Sequence, residues 1–259
     1  NLSPWATAKK ISINLSPAEI LKGIISIKSV ELDDLHLIDL PTTDPQQPPF
    51  SLASINLKTS LPLTLEEIKI NHAVLSSKFT TEQIPNGLQI YAAIYPNLSK
   101  GSITSTFLIG PTGDAKESLS KIDLSLIQHN STLTIAYEIH ESKTGLISEI
   151  INYPLPDNLH VQGQITSSFG KLQSILDGDV ESNPTRTLEG SFAINLGAQI
   201  KGKGHVQLFA DRSLELTIEE GNFEALNVNG LVHLSPKLSI DETKLIISSK
   251  NGEILRRWV

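Results

Sequence analysis

Apolar residues that alternate with polar ones, run after run, constrain this chain more than any other feature. Ile11, Ile13 and Leu15 interleave with Ser12 and Asn14, the period-two pattern of a strand with one apolar face. The pattern breaks at Leu15-Ser16-Pro17-Ala18-Glu19-Ile20-Leu21-Lys22-Gly23, which reads as one short helix. Ser16 is placed as its N-cap, Pro17 at the first helical position and Glu19 to complete a capping box. Leu15 and Ile20 are set to form a hydrophobic staple, and Gly23 is the stop. Alternation resumes at Ile25 and Ile27 and runs through Val30, Leu32, Leu35 and Leu37. Its parity slips twice, as bulges or turns would make it do.

The same pattern fills most of the remaining chain. After the proline-rich stretch Pro41 to Pro49 come Ile55, Leu57, Leu61, Leu63 and Leu65, then Ile68, Ile70 and Val74 on the other parity, as though the chain turned or bulged near Glu66-Glu67. Leu88, Ile90 and Ile94 follow the turn signal Pro85-Asn86-Gly87, and Ile103, Phe107 and Ile109 follow Lys100-Gly101. Ile122, Leu124 and Leu126 are next, and then Leu133, Ile135, Tyr137 and Ile139 beyond a turn at His129-Asn130-Ser131. The last third continues with Val161, Ile165 and Phe169, then Phe192, Ile194 and Leu196, then Val206 and Leu208. Leu214, Leu216 and Ile218 lead to Val228 and Val232. One stretch differs. Leu146, Ile147, Ile150 and Ile151 have helical spacing, with Thr144 as N-cap and Pro154 as terminator.

The pattern predicts a mainly β chain, a long antiparallel meander with one or two short helices. Boundaries at the proline-rich stretches divide it into an opening strand-helix-strand module (1–40), a groove segment (50–140), and a helix followed by continued groove (144–259), together one elongated unit. About fifteen strands at roughly 4.8 Å spacing would make a sheet about 70 Å long, and open sheets rarely exceed about ten strands without curling or splitting. The chain is therefore expected to curl into a trough or to split into a sandwich.

Composition removes several function classes. The net charge of −7 gives no electrostatic support for a nucleic-acid partner. With no cysteine among 259 residues there is no disulfide, thiolate nucleophile or cysteine metal site. The chain also lacks methionine and begins at Asn1, which reads as a fragment or a processed chain whose anchor or signal would lie upstream.

No motif supports catalysis, a cofactor or a metal. His36, His72, His129, His140, His160, His205 and His233 form no HxH or HExxH. By parity only His72 shares the apolar face, where a satisfied core or rim role outweighs a ligand role. Gly202-Lys203-Gly204 could cradle a phosphate, but its flanks Ile200 and Val206 read as a bent hairpin. Four N-x-[ST] triplets begin at Asn1, Asn14, Asn97 and Asn130, near chance in this composition. What remains is the apolar stripe: the core of a sealed sandwich, or the lining of an open trough for acyl chains or apolar strands. Composition does not separate the two, and the sealed core is the simpler.

Particular stretches add a resemblance. Trp5-Ala6-Thr7-Ala8-Lys9-Lys10, Ile13-x-Leu15-Ser16-Pro17, Ile20-Leu21-Lys22-Gly23 and Val30-Glu31-Leu32-Asp33-Asp34-Leu35-His36-Leu37 resemble the N-terminal part of the TamB (translocation and assembly module) family. These are large periplasmic proteins of diderm bacteria, anchored in the inner membrane and related to the AsmA-like, repeating β-groove group. Leu61-Pro62-Leu63-Thr64-Leu65-Glu66-Glu67-Ile68-Lys69-Ile70 is similar to the same family, as is Leu146-Ile147-x-x-Ile150-Ile151 leading to Pro156 and the strand from His160 to Ser168.

The resemblance implies a taco-like apolar β-groove in the periplasm, with a membrane anchor upstream and no catalytic motif. It implies that the groove carries phospholipid acyl chains between inner and outer membranes, or serves outer-membrane protein assembly with a β-barrel partner. On that reading the apolar residues of the strands between Ile55 and Val232 line the groove. The first helix then becomes a plug or brace, with Leu15, Ile20 and Leu21 covering apolar surface at one end. Two alternatives remain: a scaffold or chaperone that pairs an exposed sheet edge with a client strand, and a sealed β-sandwich.

Overall fold

The computed structural model describes residues 6–38, 63–76, 86–114, 116, 119–130, 132–151, 154–168, 187–197, 200–209, 213–223, 226–234, 240–249 and 254–258. These form fourteen strands and two short helices, a mainly β fold. Two compact units divide the chain. The first comprises Asn1–Phe50, Asn56–Gln128 and Ile139–Asn158, and the second Ser51–Ile55, His129–Glu138 and Leu159–Val259.

In the first unit the strands β1 (Ala6–Leu15), β2 (Ile25–Leu37), β3 (Leu63–Leu75), β4 (Leu88–Asn97), β5 (Ser102–Pro111) and β6 (Ser120–His129) lie side by side in chain order. All these neighbours are antiparallel except one. The strands follow one another in chain order as expected, but the antiparallel expectation fails at β2 and β3, which run parallel, Ile25 opposite Leu63 and Leu37 opposite Leu75. The reason lies in the connection. Residues 38–62 separate the two strands, and a parallel partner needs a crossover of about a dozen residues or more, where an antiparallel one can turn within two. The proline-rich stretch and the expected lining residues Ile55, Leu57 and Leu61 fall in that connection, outside the described residues.

The parity slip at Glu66-Glu67 is a bulge and not a turn, because β3 continues through it. Its partner on β2 is the irregular step around Lys28, where β1 shifts register between Asn14 and Leu15. Gly87 closes the entry to β4 with φ +85, and a Cβ there would stand 2.2 Å from the Leu75 carbonyl oxygen.

The helix α1 (Pro17–Ile20) is a single turn. Ser16 is extended and Pro17 begins the helix as expected, but the Ser16 hydroxyl makes no capping bond, and Glu19 pairs with Lys22 at 2.8 Å. α1 buries none of its residues, so it braces nothing. One turn is too short to lay an apolar stripe along a sheet, and Ile20 and Leu21 end up exposed at the tip of the β1–β2 connection.

In the second unit β8 (Leu159–Ser168), β9 (Thr187–Leu196), β10 (Ile200–Phe209), β11 (Leu214–Phe223), β12 (Leu226–Leu234), β13 (Ile240–Ser249) and β14 (Ile254–Trp258) form an uninterrupted antiparallel meander. Phe169 lies outside the described residues. β7 (Thr132–Glu141) belongs to the second unit up to Glu138 and to the first beyond it. The expected second helix is present as α2 (Leu146–Ile151), with Gly145 rather than Thr144 accepting its first backbone bond.

Candidate functional site

Cross-strand register turns the alternating residues into rows. In the first unit Ile11, Leu32, Ile70, Ala92, Phe107 and Ile122 stand opposite one another through six strands. Beside them run Ile13, Val30, Ile68, Ile94, Ser105 and Leu124. Ala8, Leu35, Ala73, Ile90 and Ile109 form a third row, and Leu37, Leu75 and Leu88 a fourth. Toward the other strand ends Leu15, Ile27 and Leu65, and Ile25 and Leu63, belong to the same face, as do the partners Ile103 and Leu126. Directly opposed side chains lie about 4.5–5.5 Å apart, so the rows make a largely aliphatic surface, interrupted by Ser105 and with Phe107 its aromatic member.

The second unit repeats the arrangement with glycines interleaved. Ile165, Gly190, Val206, Leu216 and Val232 make one row, and Gly163, Phe192, Gly204, Ile218 and Gly230 the next. Val161, Ile194, Gly202, Gly221 and Val228 follow, with Leu196 and Ile200 beyond and Leu208 and Leu214 on the other flank. Small beside large is the rule here. A Cβ at Gly190 would meet Ile165 at 2.6 Å and Val206 at 3.2 Å. A Cβ at Gly163 would meet the Tyr137 ring at 2.4–2.5 Å, and the Tyr137 hydroxyl passes across β8 to donate to the Ser191 carbonyl at 3.3 Å. Burial of that phenol pushes its pKa up. Gly202-Lys203-Gly204 therefore lies mid-strand and is no phosphate cradle: its glycines sit in the apolar rows, and Lys203 on the other face pairs with Glu220 at 2.9 Å.

Exposure decides what these rows are. Leu133, Phe192 and Val228 are buried, as are the small row members Ala73, Ala92 and Ser105, and Ile11, Ile13, Leu15 and Ile25 are exposed, whereas Ile70, Ile90, Phe107, Ile122, Leu124, Ile135, Tyr137, Ile139, Val161, Ile194, Val206, Leu216 and Ile218 are only half-buried. A sandwich would bury an inner face at close-packed density. These rows are not sealed in that way.

In the first unit one end of the face is covered, by α2 and not by α1. Ser120, opposite Ile109 in its row and 2 % exposed, donates its hydroxyl to Glu141, which is 3 % exposed. The Leu146 amide donates to Ser120 Oγ at 3.1 Å and the Ile147 amide to Glu141 Oε1 at 2.9 Å. Two otherwise unsatisfied donors of the helix N-terminus are thus bonded to the sheet. Gly145 permits the approach, since a Cβ there would overlap Glu141 Oε1. Burial pushes the Glu141 carboxyl up, against the lowering effect of its bonds from Ser120 and Ile147.

The opposite face of the first unit carries a polar hollow of about 460 Å³ lined by Lys9, Lys10, Asp33, Asp34, Asn71 and His72. His72 is not on the apolar face, as its parity suggested. β3 has one more residue than β4 between Ile70 and Ala73, so parity flips, and the His72 ring lies 5.4 Å from Tyr91 on the polar side. Asp34 sits at φ +48, bonded to His72 Nδ1 at 3.0 Å and to Lys9 at 3.4 Å. The His72 bond, with Lys9, holds its carboxyl below the usual range against a smaller desolvation effect. Lys9 and His72 both bond Asp34 and Asn71 bonds Asp33, and the hollow reads as a brace across β1, β2 and β3. Its sequence signal is a parity slip at matching positions of three strands. Of the other histidines, His160 and His205 point away from the rows as expected, paired with Glu138 at 2.9 Å and Glu219 at 3.1 Å.

No protein-family model matches the chain, and no curated protein or solved structure does either.

Proposed function

We propose that this chain is a segment of a periplasmic, bridge-like protein of TamB type whose apolar β-face carries phospholipid acyl chains between inner and outer membranes. One observation carries the reading: the aliphatic rows run on through successive strands while staying half-exposed. Such a face solvates alkyl chains without selecting among them. Each buried methylene contributes about 0.8 kcal/mol, so a chain several carbons longer binds more tightly at no particular position. Weak binding spread over many equivalent positions is what sliding requires, and the polar opposite face suits an aqueous compartment.

Lipid extraction and native mass spectrometry of the purified chain test the proposal. Co-purifying phospholipid is expected, and its absence refutes the reading. Ile135→Asp and Leu216→Asp should abolish labelling by a photoactivatable acyl chain while leaving the fold intact. If both variants unfold instead, these residues are sealed core and a structural β-sandwich is the better reading.

A second reading rests on the outer edge of β1, which among the described residues pairs with β2 alone and where Ile11 and Ile13 are exposed. An outer-membrane protein strand could add there by β-augmentation, and site-specific crosslinks from β1 to such a client, without bound lipid, would favour it.

A further inference from the structure

We propose that Glu138 and His140 of β7, with His160 of β8, form a zinc site that clips the two strands together on their polar side. Glu138 Oε1 and His160 Nε2 stand 2.9 Å apart across the strands. His140 is the next residue on the same side of β7, because the side chains of a strand alternate between its faces. One ligand atom from each of the three lies within 4.8 Å of the others, and among the described residues no other such group of histidine and acid occurs. Tyr137 and Val161, on the other side of these strands, belong to the apolar face. The site is therefore apart from the rows, and it stands whatever they carry.

The donor set selects the ion. Two imidazoles and a carboxylate, in a chain without thiolates, suit zinc, which takes two histidines and a glutamate with a fourth position left to water. Calcium and magnesium prefer oxygen ligands throughout and would find one carboxylate beside two imidazoles. Zinc bonds of about 2.0–2.2 Å set neighbouring ligand atoms about 3.4 Å apart in a tetrahedron. The Glu138–His160 pair is already near that spacing, and rotation of the exposed His140 side chain brings in the third ligand. A histidine–glutamate contact is by itself an ordinary ion pair, and His205 with Glu219 makes one at 3.1 Å. The third ligand sets the β7–β8 cluster apart. Asp123 of β6, bonded to Lys121 at 2.7 Å, lies within electrostatic reach of His140, as acids that steady metal-bound imidazoles do. No local spacing announces the site, because its ligands come from two strands.

Equilibrium dialysis of the full chain, first stripped with a chelator, against zinc tests the site, with calcium and magnesium as comparators. One zinc per chain should bind, and calcium and magnesium at the same concentration should not. His140→Ala and His160→Ala should each weaken binding by more than the about tenfold loss that follows removal of an outer partner. His140 is exposed and His160 half-buried, so both variants should keep the parent far-ultraviolet spectrum. His205→Ala, which breaks the ordinary ion pair, should leave zinc binding unchanged. Zinc should raise the urea midpoint of the parent and not that of His140→Ala, since an ion that binds only the folded chain stabilises it. Failure of the parent to bind zinc overturns the proposal, as does binding that survives both ligand variants or falls equally in His205→Ala. Half a zinc per chain, with zinc-dependent dimerisation, would place the ion between two copies and overturn it too.

Discussion

Replacing Glu141 tests whether α2 is fastened to the sheet by the buried carboxylate. Glu141→Ala removes the acceptor of the Ser120 hydroxyl and of the Ile147 amide. Hydrogen bonds to a charged group contribute about 1.5–3 kcal/mol each, but here they offset the cost of burying the carboxylate. A net local loss of about 2 kcal/mol is expected, which is about thirtyfold faster hydrogen exchange at the Ile147 amide. Glu141→Gln keeps one acceptor oxygen and sheds the charge, so it should stay within about 1 kcal/mol of the parent.

The two proteins then diverge with pH. Burial raises the carboxyl above its ordinary 4.5, so between 4.5 and the raised value the folded chain holds a proton that the unfolded chain has released. Stability attributable to this group is therefore present below 4.5 and is lost as pH rises through the folded value. Urea titrations of the parent and of Glu141→Gln across that range should show the parent losing ground to the variant as pH rises. Parallel curves, or a parent that gains ground, would refute the account of a desolvated carboxylate. An unchanged Ile147 exchange rate in Glu141→Ala would refute the fastening itself.

Two further predictions concern the sheets. Gly163→Ala should destabilise the second unit by about 1–3 kcal/mol through overlap with the Ser191 carbonyl and with the Tyr137 side chain, and Tyr137→Leu in the same chain should recover only the part due to Tyr137 in a double-mutant cycle. Glu31→Cys with Lys69→Cys, opposed in the parallel β2–β3 register, should form a disulfide on mild oxidation, and the absence of native cysteine keeps the assay free of competing thiols. No crosslink would contradict the parallel pairing.

Parity made the apolar face readable before any strand was placed. Within each unit the residues of β3–β6 and of β8–β12 that alternate in the chain stand opposite one another in rows, because a one-residue slip would turn a strand's apolar side away from its neighbours. Pairing direction was not readable in the same way, since Ile25 to Leu37 alternates identically whether its neighbour runs up or down. The fastening of α2 was hidden for another reason. Ser120 and Glu141 are 21 residues apart and neither belongs to a motif; only the fold brings a serine of the apolar row beneath a helix N-terminus. The capping box failed because Lys22, three residues beyond Glu19, offered that carboxylate a full charge.

The polar hollow shows how the face tolerates irregularity. Apolar parity slips between Ala8 and Ile11 in β1, between Leu32 and Leu35 in β2, and between Ile70 and Ala73 in β3. A slip in one strand alone would turn the rest of its stripe toward the polar side. Here three neighbours slip in step, and the offset is absorbed against β4, where Ala92 and Ile90 are only two residues apart. The rows stay unbroken, and Ala73 and Leu75, rather than Val74, carry them onward. The residues at the slip project to the polar side, where the side chains of Lys9, Asp34, Asn71 and His72 bond with one another and with Asp33. Asp34 also takes the left-handed backbone that the step requires, which an aspartate accepts more readily than a β-branched residue. Asp34→Val should therefore destabilise the first unit more than Asp34→Asn. Equal urea midpoints for the two variants would show that ion pairing, and not backbone conformation, selects the residue there.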